Sequence, residues 1–243
     1  MIILDDRRIF VVGDLHGDLD AYNKILNEWE KENNTILLFL GDFADRGDFG
    51  VEIIESLIKI QNNKRVIILK GNHEDYNNDG TPNFNPCSFV KEATEKRGNW
   101  HGYFSNVIKP FFDKLDISAI IMNKILFIHG GISSKIHSLN DLINPTHDII
   151  TDILWSDPNE YIIDEQNNHR GCGVEFSEHV LTKVMKDLNV KLVIRSHQPN
   201  LAKKEPYIFR NKLVTISSTS IYGGKPHYLI VNPSDCSYEC KYV

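Results

Sequence analysis

Ile9-Phe10-Val11-Val12-Gly13-Asp14-Leu15-His16-Gly17-Asp18 opens with four apolar residues, stops at a glycine, and passes at once to a carboxylate and an imidazole. An unbroken apolar run of that length reads as a β-strand covered on both faces, because a half-exposed strand would alternate. Asp18 or Asp20 can then cap a helix, where a carboxylate meets free N–H groups and the positive end of the helix dipole. Leu19, Tyr22, Leu26 and Trp29 follow at spacings of three and four, which is one helical face, and Asn33-Asn34 end it.

The same unit recurs twice. Ile36 to Leu40 is a second apolar run stopped by Gly41, and Val51, Ile54, Leu57 and Ile58 form the next helical face. Val66 to Leu69 is a third run, reaching Gly71 after one lysine. Strands alternating with helices predict βαβ units and a parallel sheet. Further on, Lys124–Ile128 runs into His129, and Val190–Ile194 runs toward His197. Phe176, Val180, Val184 and Leu188 mark a helix, while Leu213–Ile216 and Tyr228–Val231 are late strands. Phe89–Phe112 reads as helical, blurred by Gly98 and Gly102, and Asn77–Pro86 is a turn-rich loop. Helices early and strands late predict an α/β sandwich: two sheets flanked by helices.

Composition sets the outer limits. The chain has 243 residues, 41% hydrophobic and 25% charged, so it can bury a sizeable core. With no repeat or linker-like tract, one domain over residues 1–243 is expected. Acidic residues number 33 and basic ones 27, a net charge of −6, which argues against a nucleic-acid partner. No apolar run nears the roughly 20 residues of a membrane span, and Met1–Leu4 before Asp5-Asp6-Arg7-Arg8 does not read as a signal peptide. Cys87, Cys172, Cys236 and Cys240 form no CxxC pair. They read as reduced thiols in a cytoplasmic protein, a Cys236–Cys240 bridge being the alternative.

Five strands therefore end in chemically loaded residues: Asp14 and His16, Asp42 and Asp45, Asn72 and His73, His129, and His197. In open α/β sheets ligands bind beyond the carboxyl ends of the strands, so these side chains are expected at one edge. One Asp after a glycine reads as a turn or cap, and one His as a hydrogen-bonded residue. Five in the same position read as a site. Imidazole nitrogens mixed with carboxylate and amide oxygens suit manganese, iron or zinc better than calcium. There are enough ligands for two metals bridged by a carboxylate. Such a pair, about 3.5–4 Å apart, serves phosphoryl transfer. Arg46, after Asp45, can fork onto phosphate oxygens. His73, beside Asn72, can act as general acid, with Asp45 available to orient its ring and keep it protonated.

With these residues in view the sequence resembles the phosphoprotein phosphatases, the serine/threonine phosphatases of the calcineurin-like metallophosphoesterases. That family reads GDxHG, GDxVDRG, GNHE, HGG and a late RxH. Here Gly13–Gly17 read GDLHG, Gly41–Gly47 GDFADRG, Gly71–Glu74 GNHE, His129–Gly131 HGG and Arg195–His197 RSH, in family order. Trp155–Pro158 (WSDP) and Arg170–Phe176 (RGCGVEF) resemble the eukaryotic-type branch. The resemblance implies one metal held by Asp14, His16 and Asp42, and a second by Asp42, Asn72, His129 and His197. It implies His73 as proton donor supported by Asp45, with Arg46, Arg170, Asn72 and Tyr222 contacting the substrate. A dimetal-bound hydroxide would attack phosphoserine or phosphothreonine directly. It implies an α-β-β-α sandwich, two divalent cations (manganese, with iron or zinc as alternatives) and a phosphoprotein substrate. A regulatory subunit is compatible with the family, although no segment identifies one, and neither nucleic acid nor membrane is expected as a partner.

Three departures stand out. Ser218–Gly224 read STSIYGG where the family has SAPNYCG, Ala44 replaces the usual valine, and the Asn77–Pro86 loop is unlike the family at that point. Two other readings remain open: a diadenosine tetraphosphate hydrolase or other small-molecule phosphatase on the same metals, and a non-catalytic phosphate-binding scaffold.

Overall fold

A computed structural model describes residues 1–243. Short strand β1 (Ile2–Ile3) precedes β2 (Arg8–Val12), α1 (Leu19–Glu30), β3 (Thr35–Phe39), α2 (Gly50–Ile60) and β4 (Val66–Ile68). A 3₁₀ turn at Asn72–Glu74 leads through the Asn77–Pro86 loop to a helical run: α3 (Phe89–Arg97), α4 (Trp100–Tyr103), a π-helical turn (Phe104–Ile108) and α5 (Lys109–Phe112). Then come β5 (Ser118–Ile121), β6 (Ile125–Ile128), α6 (Leu139–Ile143), α7 (His147–Trp155), β7 (Asp157–Pro158), β8 (Glu165–Asn167) and β9 (Val174–Phe176). The chain closes with α8 (Glu178–Asp187), β10 (Leu192–Arg195), β11 (Tyr207–Phe209), β12 (Leu213–Thr215), β13 (His227–Asn232) and β14 (Ser237–Tyr242).

Two large mixed sheets face each other. One has the order β14-β13-β2-β3-β4 and the other β1-β5-β6-β10-β12-β11. In the first, β2, β3 and β4 are parallel, as the βαβ pattern predicts, with Val12 opposite Phe39 and Phe39 opposite Ile68. β13 joins β2 antiparallel. In the second, β10 runs parallel to both β6 and β12.

The unbroken apolar runs follow from burial on both faces. From β2, Ile9 and Val11 point between the sheets, where they meet Leu38 of β3 and Phe127, Ile194 and Val214 of the facing sheet. Phe10 and Val12 point outward, onto Tyr22, Ile25 and Trp29 of α1 and Val51 and Ile54 of α2. The second sheet is covered likewise by Val180, Leu181 and Val184 of α8. The layers are therefore α-β-β-α. Asp18 is the cap of α1, its Oδ1 accepting from the Ala21 N–H at 3.0 Å.

Some details depart from the sequence reading. The five loaded strands are divided between the two sheets, a division the sequence reading left open, and face-to-face packing brings their ends together. A third sheet, β7-β9-β8, gave no apolar run because its strands are two or three residues long and largely polar. The Phe89–Phe112 helix is interrupted where Gly98 takes φ +82°. No helix is long and apolar enough to cross a membrane.

Candidate active site

The carboxyl ends of β2, β3, β4, β6 and β10 supply one buried cluster. Asp14, His16, Asp42, Asp45, Asn72, His73, His129 and His197 are all buried there. The backbone bends sharply to present them. His16, Asp42, Asp45, Arg46 and His197 all have positive φ, from +46° to +72°. Such conformations cost of order 1–3 kcal/mol each and persist only where the surroundings impose them. Gly41 (φ +110°) and Gly71 make this packing feasible: a Cβ on Gly41 would lie 2.3 Å from the Gly71 nitrogen. One on Gly71 would lie 2.3 Å from Asp42 Oδ1.

Two of the histidines are fixed through Nδ1. His16 Nδ1 lies 3.0 Å from the Ala44 carbonyl and His129 Nδ1 3.0 Å from the Leu40 carbonyl. A carbonyl only accepts, so both Nδ1 atoms carry hydrogen and both Nε2 lone pairs face the cluster. Asp42 is central. Its Oδ2 lies 3.5 Å from His16 Nε2 and its Oδ1 3.3 Å from His129 Nε2. Asp14 uses Oδ1 to accept from the His197 N–H, leaving Oδ2 without a hydrogen-bond partner and 3.9 Å from His16 Nε2. On the other side His129 Nε2, His197 Nδ1 and Asn72 Oδ1 lie 3.0–3.2 Å from one another.

Donor atoms at this density repel one another unless a cation lies among them. His16, Asp42 and His73 form one group able to hold a metal, and Asp42, His129 and His197 another, with donor atoms within 4.8 Å in each. Asp42 is common to both. The protonation tendencies agree. Burial lifts the Asp14 carboxyl to about 6 and the Asp42 carboxyl well above the usual range. Burial also lowers His16 to about 3 and holds His129 and His197 well below ordinary histidine. Neutral imidazoles and unpaired buried carboxylates are the state in which a divalent cation is bound.

Asp45 stands apart from that donor set. Its Oδ2 accepts from His73 Nδ1 at 2.8 Å, and its Oδ1 from the Ser88 and Phe89 N–H groups at 2.5 and 2.7 Å. Burial alone would raise its carboxyl, but His73 and these amides outweigh it and hold the carboxyl low. His73 Nε2 then points toward Asp42 Oδ2, 4.0 Å away.

Above the cluster lies a cavity of about 620 Å³. His16, Asp42, Asn72, His73 and His197 form its floor, with Arg46, Arg170 and Tyr222 on its walls. Every residue singled out in the sequence is thus in the cluster or the cavity lining, with Asp14, Asp45 and His129 of the cluster lying outside the lining.

Two residues of structural weight, Glu74 and Asp157, had no assigned role in the sequence reading, and a third, Asp18, was read only as a helix cap. Glu74 accepts from the N–H groups of Asp42, Phe43 and Gly71, tying the β3 and β4 turns together. Buried Asp157 accepts from Arg195 at 3.0 Å and from Arg170 Nε at 2.9 Å, so the WSDP turn aims Arg170. Asp18, besides capping α1, accepts from Ser220 N–H and Oγ, docking the late loop that carries Tyr222. All three lie in or beside recognised motifs, but their partners are remote in sequence.

The sequence pattern of the calcineurin-like phosphoesterases matches residues 7–201. The chain belongs to that family. It is 31% identical over 224 residues to the serine/threonine-protein phosphatase 6 catalytic subunit of Drosophila melanogaster, covering 88% of this chain and 71% of that one. It is 30% identical over 235 residues to serine/threonine-protein phosphatase C23G10.1 of Caenorhabditis elegans, covering 92% of this chain but 48% of the relative. The chain thus spans about half the length of that nematode protein. A Saccharomyces cerevisiae serine/threonine phosphatase structure superposes with a TM-score of 0.80 at 24% identity, over 100% of this chain and 82% of that one. At that identity it establishes the α-β-β-α fold.

Proposed function

We propose that residues 1–243 form one catalytic domain, a serine/threonine protein phosphatase working with two divalent cations. The observation that carries this is Asp42, whose two carboxylate oxygens face separate histidine groups, one on His16 and one on His129. Asp14, His16 and Asp42 would hold one cation, and Asp42, Asn72, His129 and His197 the other. Manganese, iron or zinc suits this nitrogen–oxygen set, and manganese is our first choice. When bound, the cations supply charge to the phosphate and a nucleophile near neutral pH.

The chain's own residues do the rest. Arg46 and Arg170 grip the phosphate oxygens, Arg170 being aimed by Asp157. Asn72 and Tyr222 line the same space and position the ester. As the bond between phosphorus and the seryl or threonyl oxygen breaks, its electron pair leaves on that oxygen. The oxygen takes a proton from His73 Nε2. Asp45, bound to His73 Nδ1, orients the ring and balances its charge.

Phosphoprotein is favoured over dinucleotide as substrate. A solved chain named after diadenosine tetraphosphatase superposes at a TM-score of only 0.57 with 12% identity. The WSDP and RGCGVEF segments, which resemble the protein-acting branch, build the wall that carries Arg170. A cytoplasmic location agrees with four unpaired cysteines. Turnover of a phosphoserine peptide should exceed that of diadenosine tetraphosphate under identical conditions. Equal or faster release from the dinucleotide would overturn the substrate class while leaving the metal site intact.

A further inference from the structure

The Asn77–Pro86 loop has no counterpart in the family motifs, yet it reaches the reaction centre. It is a built hairpin. Asn77 N–H donates to the Thr81 carbonyl at 2.8 Å, and Trp100 Nε1 donates to the Gly80 carbonyl at 3.0 Å. Asn83 donates to Asp75 through both its backbone N–H and its side-chain amide. At its end Phe84, 7% exposed, packs its ring against His73 at a 49° tilt with centroids 4.4 Å apart. The other side of Phe84 meets the edge of Tyr76 at 5.4 Å. Tyr76 in turn packs on Trp100, Phe104 and Phe112. Across from Phe84, His16 meets His73 edge-on at 4.9 Å.

The residues that follow grip the rest of the dyad. Ser88 and Phe89 donate their N–H groups to Asp45 Oδ1, and Ser88 Oγ accepts from the Arg46 N–H at 3.1 Å. One short segment therefore contacts His73, Asp45 and Arg46 together.

We propose that Phe84–Phe89 is a clamp on the proton-donating pair, and that Phe84 is a positioning residue for His73. Asp45 restrains the imidazole at one atom only, which leaves the ring free to tilt about that hydrogen bond. Phe84 removes the tilt by filling the space beside the ring. It also keeps water from the Nδ1–Asp45 bond, which strengthens that bond in its dry surroundings. Nε2 is thereby held in the direction of the leaving oxygen. This role rests on the phosphatase reading above.

The test uses the full chain with manganese and two esters. A phosphoserine peptide leaves as an alkoxide and needs the proton, whereas p-nitrophenyl phosphate leaves as a stable phenolate and does not. Phe84→Ala should lower kcat on the peptide about 10- to 100-fold through loss of alignment. On p-nitrophenyl phosphate it should lower kcat less than about threefold, because little proton donation is needed there. Phe84→Tyr, which keeps the ring, should retain the wild-type ratio of the two rates. In Phe84→Ala combined with His73→Asn, the peptide rate should fall no further than in His73→Asn alone. A readout independent of turnover is the imidazole ¹⁵N spectrum of the protein loaded with diamagnetic zinc. The slowly exchanging His73 Nδ1 proton of the wild type should broaden in Phe84→Ala while the backbone spectrum is kept. Equal loss on both esters, or no loss on either, would overturn the clamp while sparing the phosphatase reading. A wild type that released phosphate from neither ester would remove that reading and this role with it.

Discussion

His73 and Asp42 sit 4.0 Å apart and are assigned different work. His73→Asn should lower turnover of a phosphoserine peptide about 10²- to 10⁴-fold, the usual range for a lost general acid. Bound metal should remain at the wild-type ratio, because the ligands proposed here do not include His73. Metal analysis alongside kinetics checks both halves, and loss of metal would make His73 a ligand instead. Asp14 supplies a pH signature. Its metal-free carboxyl is raised to about 6, so below that pH a proton occupies an atom the cation needs. His16, His129 and His197 are all lowered and stay neutral through the same window, so they do not compete. Burial raises the Asp42 carboxyl too, so protons compete at both carboxylate ligands, and manganese affinity should fall as the pH drops through about 6, by about tenfold or more per pH unit. Titration of metal-free protein across that range measures it. These residues were legible in the sequence because each closely follows an apolar run: after a glycine for Asp14, Asp42 and Asn72, directly for His129, and after Arg195-Ser196 for His197. Glu74 and Asp157 carried no such signal, since their importance lies chiefly in hydrogen bonds to residues 13 to 38 positions away.

The turns after β3 and β4 depend on one buried carboxylate. Glu74 satisfies three backbone N–H groups, on Asp42, Phe43 and Gly71, that have no room for water. Glu74→Ala should cost about 3 kcal/mol or more, since each buried donor left unpaired costs about 1–3 kcal/mol. Denaturant unfolding of the metal-free proteins would show it, and a loss under about 1 kcal/mol would mean the turns hold without Glu74. The elements bearing the site were readable for a physical reason. β2, β3 and β4 are covered by helices on one side and the second sheet on the other, so their sequences are apolar throughout. β14 at a sheet edge alternates exposed and half-buried residues, and β7–β9 form a small polar sheet. Neither leaves an apolar run to read. The Asn77–Pro86 hairpin read as a loop because its order comes from Trp100, Asp75 and Tyr76 rather than from its own composition.

Across the whole molecule, the cluster joins two sheets whose strands are far apart in the chain. Asp14, His16, Asp42 and Asn72 come from one sheet, and His129 and His197 from the other. A cation bound by both sets links the sheets and stabilises only the folded chain. At a free manganese concentration one hundred times Kd, the gain should be about 2.7 kcal/mol. For a chain of this size that is a rise of roughly 5–10 °C in Tm, reversed by chelator. The sequence placed all the loaded side chains at one common edge of a two-sheet sandwich. Two sheets were expected, but which strand joins which was not, because nothing in a βαβ pattern announces where a later, antiparallel pair such as β5 and β6 will pack. The common edge survives that difference because the strand ends of both sheets open on the same side.

The deciding measurement is phosphate release from a phosphoserine peptide with manganese, with chelator, and in Asp42→Asn. Release that requires manganese, stops with chelator and falls roughly 100-fold or more in Asp42→Asn is the expected result, because that change weakens both metal positions at once. Release that continues undiminished in chelator or in Asp42→Asn would contradict a reaction centred on Asp42.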